Sequence, residues 1–342
     1  MKFINLARHA ARVRGWLCAA AALTFSQPAA ARTVFTLMPI TINGSANVDA
    51  VSINDAGSIT GTVDGNGFMR AGGRVWMLPG SDCAARVGCG PWPGLITRRG
   101  DIAGSNAAGE TFVVRAGRVL PRYGFALGGA DAPVVLLNDH GAIAFATAQG
   151  IGSASVFAGV PPAVVPVAGL DAGASLAGLN DSNVLSGSAP CGTGGALTQC
   201  VFAGKDGDFI DILPPGAASA AGGVVNAAGQ VAGSYVDSAG QHGFVFHARN
   251  YTSFDMPQAA VLGSVAVMGI SDAGRVIGTY IDAAQGLRHV FWFNGTTVSA
   301  FGAFPAADTV TVALNAATQA VVADLHDGAA ASTLVTCQGA GC

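Results

Sequence analysis

One short pattern recurs seven times in this chain and limits what it can fold into. A polar turn is followed by an apolar strand in SINDAGSITGT (52–62), ITRRGDIAGS (96–105), LNDHGAIAFA (137–146), LNDSNVLSGS (179–188), VNAAGQVAGS (225–234), ISDAGRVIGT (270–279) and LNAATQAVVA (314–323). The turn-closing residue is Gly57, Gly100, Gly141, Asn183, Gly229, Gly274 and Thr318, at intervals of 43, 41, 42, 46, 45 and 44 residues. Asn or Asp opening such a turn caps it with its side chain, and Gly closing it takes a left-handed conformation. Together they specify a type I turn with a G1 bulge, a common hairpin connection. Asn183 tolerates that conformation, whereas a β-branched Thr318 does not, so the last copy is expected to turn differently.

Four residues after the turn, glycine returns as Gly61, Gly104, Gly187, Gly233 and Gly278. Glycine inside a strand loses stability, so its return there predicts a bulge or a close backbone approach. A second marker keeps the same period. Phe68, Phe112, Phe157, Phe202, Phe244 and Phe291, with Leu334 in the last copy, open the third strand of each unit. These aromatics are expected to pack between neighbouring units.

Most units end in a fourth strand with a proline, as in Val75–Pro79, Phe209–Pro214 and Thr252–Pro257, and proline suits a sheet edge. The seventh unit stops after three strands, Val310–Asn315, Gln319–Leu325 and Ser332–Cys337. A spare strand, Thr33–Pro39, precedes the first unit. Four short antiparallel strands every 40–45 residues or so are the signature of propeller blades. The expected fold is therefore all-β: a seven-bladed β-propeller of four-stranded antiparallel blades, closed by strand 33–39 in the last blade. A β-solenoid is the alternative, but it gives no reason for the offset between the two ends.

Residues 1–31 read as a secretory signal peptide. Lys2, Arg8, Arg12 and Arg14 precede the apolar Gly15–Phe25, and Ala29-Ala30-Ala31 offers a cleavage site. Residues 32–342 form the single propeller domain. Four of the 17 bases and none of the 20 acids precede Arg32, which leaves the mature chain at a net charge of −7. That balance argues against nucleic acid and against anionic lipid. No later stretch is apolar enough to span a bilayer, so a secreted or periplasmic monomer is expected. Six cysteines remain after Cys18. Their spacing favours the local disulfides Cys83–Cys89, Cys191–Cys200 and Cys337–Cys342.

The segments VNAAGQVAGS and ISDAGRVIGT, with Gln241-His242-Gly243-Phe244 and His289-Val290-Phe291, resemble the extracellular HAF repeat family. That pattern runs Ile-Asn-x-x-Gly-x-Val-x-Gly, then a variable turn, then His-Ala-Phe. At the level of the period the resemblance covers residues 50–336. It implies a secreted bacterial repeat protein of propeller type and no established activity, so it brings no catalytic residues.

No nucleophile elbow, zinc-binding helix motif or phosphate loop occurs, and no cofactor is expected. His242 and His289 hold equivalent positions in adjacent units, which suits a structural turn residue better than a catalytic one. Unit two departs most from the pattern. Arg98-Arg99 stand where other copies have Asn-Asp, Trp92 precedes them and Arg122-Tyr123 follow, making a candidate anion or glycan contact. Two function classes follow. One is a non-enzymatic binding or structural module that presents a propeller face to an extracellular glycan, peptide or protein. The other is a carbohydrate-active hydrolase or lyase with acids gathered in the central channel. Two or three carboxylates in the channel would favour the enzyme, and a lining of Gly, Ala, Val and Ser would favour the binder.

Overall fold

The computed structural model describes residues 33–78, 92–105, 111–120, 135–147, 150–155, 165–166, 173–192, 198–339 and 342. The signal segment, the Cys83–Cys89 pair, Phe157, Arg122 and Tyr123 lie outside them, as does the side chain of Trp92. The described residues form seven four-stranded antiparallel sheets. Six are built from consecutive strands. The seventh takes Thr309–Leu314, Gln319–His326 and Ala329–Gln338 from the end of the chain and Val34–Pro39 from its beginning. Val34 to Pro39 pair with Gln338 to Thr333, so the spare strand inferred from the sequence completes the last blade. A solenoid of parallel rungs is excluded. We number the blades one to seven in chain order, from the sheet that begins at Val48.

The strands alternate, and each blade buries both faces against its neighbours. In blade five, Val231 and Phe244 pack on Val201 and Ile212 of blade four, while Ala232 and Val245 pack on Val267 and Val276 of blade six. Seven apolar clusters result, one for each pair of adjacent blades. The last joins Val321 of blade seven to Phe68, Ile53 and Ile59 of blade one. Phe68, Phe202, Phe244 and Phe291 are fully buried or nearly so, and Phe112 is buried. They serve as inter-blade core, at about 1.5–3 kcal/mol for each side chain removed from water.

The two sequence markers meet in the structure. Gly61, Gly104, Gly187, Gly233 and Gly278 lie directly across from Phe68, Phe112, Phe202, Phe244 and Phe291 in the sheet register. Each of these phenylalanines falls within the third strand, one to four residues past its start, and does not open it. In the same five blades the innermost strand carries a bulge beside that glycine, as between Val267 and Gly269 opposite Gly278. A β-carbon on Gly278 would overlap the carbonyl oxygen of Ala266 and the ring of Phe291. Blades three and seven carry Phe145 and Val322 at this position, and their inner strands pair in unbroken register. Glycine and bulge are therefore present or absent together.

The turns follow the type I plus G1 scheme, with the closing residue at φ between 59° and 85° in all seven copies. Thr318 corrects the sequence reading: it takes the same left-handed conformation, φ 64°. Its hydroxyl donates to Cys337 O at 3.3 Å, and its carbonyl accepts from Cys337 N at 3.0 Å. These bonds to the adjoining strand hold a β-branched residue where it is otherwise disfavoured. Disulfides join Cys191 to Cys200 and Cys337 to Cys342.

Candidate functional site: the channel mouth

The seven polar turns gather around the axis at one end of the propeller and line an opening of about 210 Å³. Two concentric sets of side chains make its rim. The inner logic begins with the first turn residue. Asn54, Asn138, Asn180, Asn226 and Asn315 are all buried. Each Oδ1 accepts from its own turn, as Asn180 does from Ser182 N and Val184 N at 3.0 and 2.9 Å. Each Nδ2 donates to the carbonyl of the equivalent residue in the next blade. The bonds run Asn54 to Thr97, Asn138 to Asn180, Asn180 to Asn226, Asn226 to Ser271 and Asn315 to Asn54, at 2.8–3.0 Å. An aspartate would satisfy only the first half of this arrangement, because a carboxylate has no N–H to donate. Thr97 and Ser271 cap their own turns at Asp101 N and Arg275 N.

The second turn residue forms an acidic set. Asp55, Asp139, Asp181 and Asp272 each turn Oδ1 to a backbone N–H of the preceding blade: Ala316, Arg99, Asp139 and Ala227, at 2.8–3.3 Å. Arg98 takes this position in blade two. The structure thereby shifts the sequence alignment by one: Thr97-Arg98, and not Arg98-Arg99, replaces Asn-Asp. The Arg98 guanidinium reaches across the opening to Asp139 Oδ2 at 3.6 Å, Asp181 Oδ2 at 2.9 Å and Asp272 Oδ2 at 3.3 Å. One cation holds three carboxylates from blades three, four and six. Three acids do converge at the channel, and each has one oxygen on a backbone amide and the other on Arg98.

Below the rim, the inner strands carry little chemistry. Among the described residues of those strands the one acid is Asp49, whose carboxyl is pushed above its ordinary pKa by burial. Gly, Ala, Val, Ser, Leu, Ile, Thr and Met make up most of the remainder.

Arg98 and Arg99, adjacent in sequence, serve different places. Arg98 is spent on the aspartates of the mouth. Arg99 occupies the third turn position and lines a separate groove between blades one and two. Its exposed guanidinium makes no hydrogen bond or ion pair among the described residues. His242 and His289 sit near the starts of third strands rather than in turns, stacked on Tyr235 and Tyr280 at 4.9 and 5.4 Å. His242 bonds Asp255 at 2.5 Å and Asp237 at 3.1 Å, and His289 bonds Gly302 O at 2.7 Å. The sequence could not show the interlocking of the turns. The recurrence of Asn at the first position in five copies and of Asp at the second in four was its one trace.

The architecture is that of a β-propeller, and solved structures agree. Virginiamycin B lyase from Staphylococcus aureus matches with TM-score 0.57 and 13% identity, over 89% of this chain and 99% of that one. The WD40 repeats of RRP9 match with TM-score 0.55 and 8% identity, over 88% and 97%. YCF48 bound to D1 peptide matches with TM-score 0.54 and 10% identity, over 88% and 95%. At these identities the likeness is one of fold. No protein-family model and no curated protein matches the chain by sequence. No helix among the described residues is long and apolar enough to cross a membrane.

Proposed function

We propose that this protein is a secreted, non-enzymatic binding propeller of the HAF repeat type. Its turn-bearing face, around the channel mouth, contacts an extracellular ligand. The observation that carries the reading is the state of the mouth carboxylates. Asp139, Asp181 and Asp272 share Arg98 and cap neighbouring amides, so these three acids do not form a free carboxylate pair flanking an open space. Hydrolysis of a glycosidic bond by paired acids needs two carboxyl groups about 5–10 Å apart with substrate between them. Asp49, half-buried, is the one acid on the described inner strands, so no second carboxyl group stands beside it there. Propellers of this architecture include both binding modules and a lyase, so the fold by itself does not decide. The small, neutral lining of the inner strands supports a scaffold for binding loops.

The test is incubation of residues 32–342 with a panel of neutral and acidic polysaccharides. New reducing ends and unsaturated uronate absorbance are followed over days. No turnover is expected. Turnover that is lost in Asp49→Asn would overturn the binding reading in favour of a hydrolase or lyase.

A further inference from the structure

The groove beside the mouth differs in chemistry from the mouth itself: its lining is largely apolar, where the mouth is ringed by polar turn residues. It encloses about 410 Å³ between blades one and two, a size typical of ligand pockets. Its walls are Met69, Trp76 and Leu78 from blade one and Val114, Ala116 and Gly117 from blade two, with Arg99 and Gly100 at one end. Met69 and Trp76 are register partners and so present the same face. Beneath them the blade-one and blade-two core of Leu78, Ile96, Ile102, Phe112 and Val114 closes the floor.

The groove is open for a reason that lies in the fold. The fourth strand of blade two is the two-residue Arg118–Val119, paired only to Arg115 and Val114. Among the described residues, that short strand covers little of the outer part of the blade-one face, and Trp76 is 47% exposed. Large apolar side chains in this setting mark interaction surfaces more often than chance exposure does.

Charge also sets this sector apart from the rest of the chain. Residues 65–122 hold eight of the 13 bases that follow residue 31 and three of the 20 acids. A sector of net positive charge is thus set into an acidic molecule. Arg74, Arg99, Arg115 and Arg118 are exposed on it. The nearby acid Asp101 is buried, 4% exposed, with Arg115 at 3.9 Å. The Arg99 guanidinium at the end of the groove remains without an ion pair among the described residues. Guanidinium is the side chain best shaped to hold a carboxylate through two parallel hydrogen bonds.

We propose that this groove binds an acidic peptide segment of a partner protein. A carboxylate of the segment is held by Arg99, and an adjacent apolar side chain lies over Met69 and Trp76. The apolar, methionine-containing walls favour a hydrocarbon side chain over a sugar, whose hydroxyls would meet no polar partner along them. The proposal rests on the binding reading above and names the ligand class for its face.

The test uses an array of acetylated decapeptides in which the densities of Asp and of Leu or Phe vary independently, probed with labelled residues 32–342. Retention is expected only where both are present, and it should weaken as salt rises. For a retained peptide, Arg99→Gln should raise Kd about tenfold or more, the scale of one charge-assisted hydrogen bond, and Arg99→Lys by less. Trp76→Ala should raise Kd by a similar factor, and Lys205→Gln on blade four should leave it unchanged. Arg99 and Lys205 are exposed, and circular dichroism confirms folding of each variant. Retention that ignores acid content, an unchanged Kd in Arg99→Gln, or no retention at all would each overturn the proposal. Binding of polygalacturonate that Arg99→Gln abolishes, with no peptide retained, would also overturn it and leave the binding reading standing. Polysaccharide turnover would instead remove the binding reading itself.

Discussion

Asn315 Nδ2 donates to Asn54 O at 3.0 Å, although the two residues are 261 positions apart. The same bond recurs between four other pairs of neighbouring blades, so the last repeat meets the first as those repeats meet the next. Strand Val34–Pro39 completes blade seven by pairing along Ala329–Gln338, and it faces blade six. Phe35 packs its ring on Phe301 at 4.4 Å and on Trp292 at 6.2 Å. Deleting residues 32–39 should therefore remove most of the stability, because the blade loses a strand and its neighbour loses an aromatic contact. Urea denaturation measures this, and an unchanged midpoint would contradict it.

Asn180→Asp should destabilise the protein by about 1–3 kcal/mol. The carboxylate keeps the bonds from Ser182 N and Val184 N but cannot donate to Asn226 O, and it sets a negative charge against that carbonyl. Asn180 is buried, which prevents water from repairing the loss. The midpoint should rise again when the carboxylate is protonated at low pH relative to wild type under the same conditions.

Thr318→Gly should stabilise or leave stability unchanged, within about 1 kcal/mol, although it deletes a hydrogen bond. The left-handed conformation costs a β-branched residue about as much as the bond to Cys337 O returns. Gly229→Thr, where nothing lies within 4 Å of the added β-carbon, should cost about 1–2 kcal/mol. Thermal melts of the two variants compare the same turn with and without the compensating contact.

His242 supplies a pH dependence. Burial pulls its imidazole pKa down, but hydrogen bonds and attraction from Asp255 and Asp237 outweigh that, and the net pKa is raised. Asp237 moves the other way, lowered first by the backbone N–H of Ala239. A raised histidine stabilises fully below its unfolded pKa, near 6.5, and that contribution is lost as pH rises through the folded value. The lowered Asp237 stabilises above its unfolded pKa and loses this as pH falls through the folded one. The stability difference between wild type and His242→Gln should thus be largest at about pH 5–6 and shrink above neutrality. A difference that grows toward alkaline pH would contradict the assignment.

Much of the fold was legible because the repeat states it twice, once in the turn glycines and once in the phenylalanines. Gly233 and Phe244 announced the same period separately, and the structure shows them to be register partners. The incomplete seventh unit and the spare Thr33–Pro39 strand foretold the shared last blade. The site was less legible because its contacts are not local. Nothing near Arg98 in sequence reveals Asp181 or Asp272, which come from blades two and four further along the chain. The Arg98-Arg99 pair stood out as a departure from the pattern, but only the register of the turn sends one to the mouth and the other to the groove. Thr318 was misjudged because its stabilising partner, Cys337, belongs to another strand.

The central claim is that the mouth acids are structural, and a double-mutant cycle on Arg98→Gln and Asp181→Asn tests it most directly. Each single variant should lower the urea midpoint. The coupling between them should be favourable, about 0.5–1 kcal/mol at low ionic strength, and smaller in high salt. An Asp181→Asn variant that is more stable than wild type, with no coupling to Arg98, would contradict the claim, because that is how an acid retained for function at the expense of stability behaves.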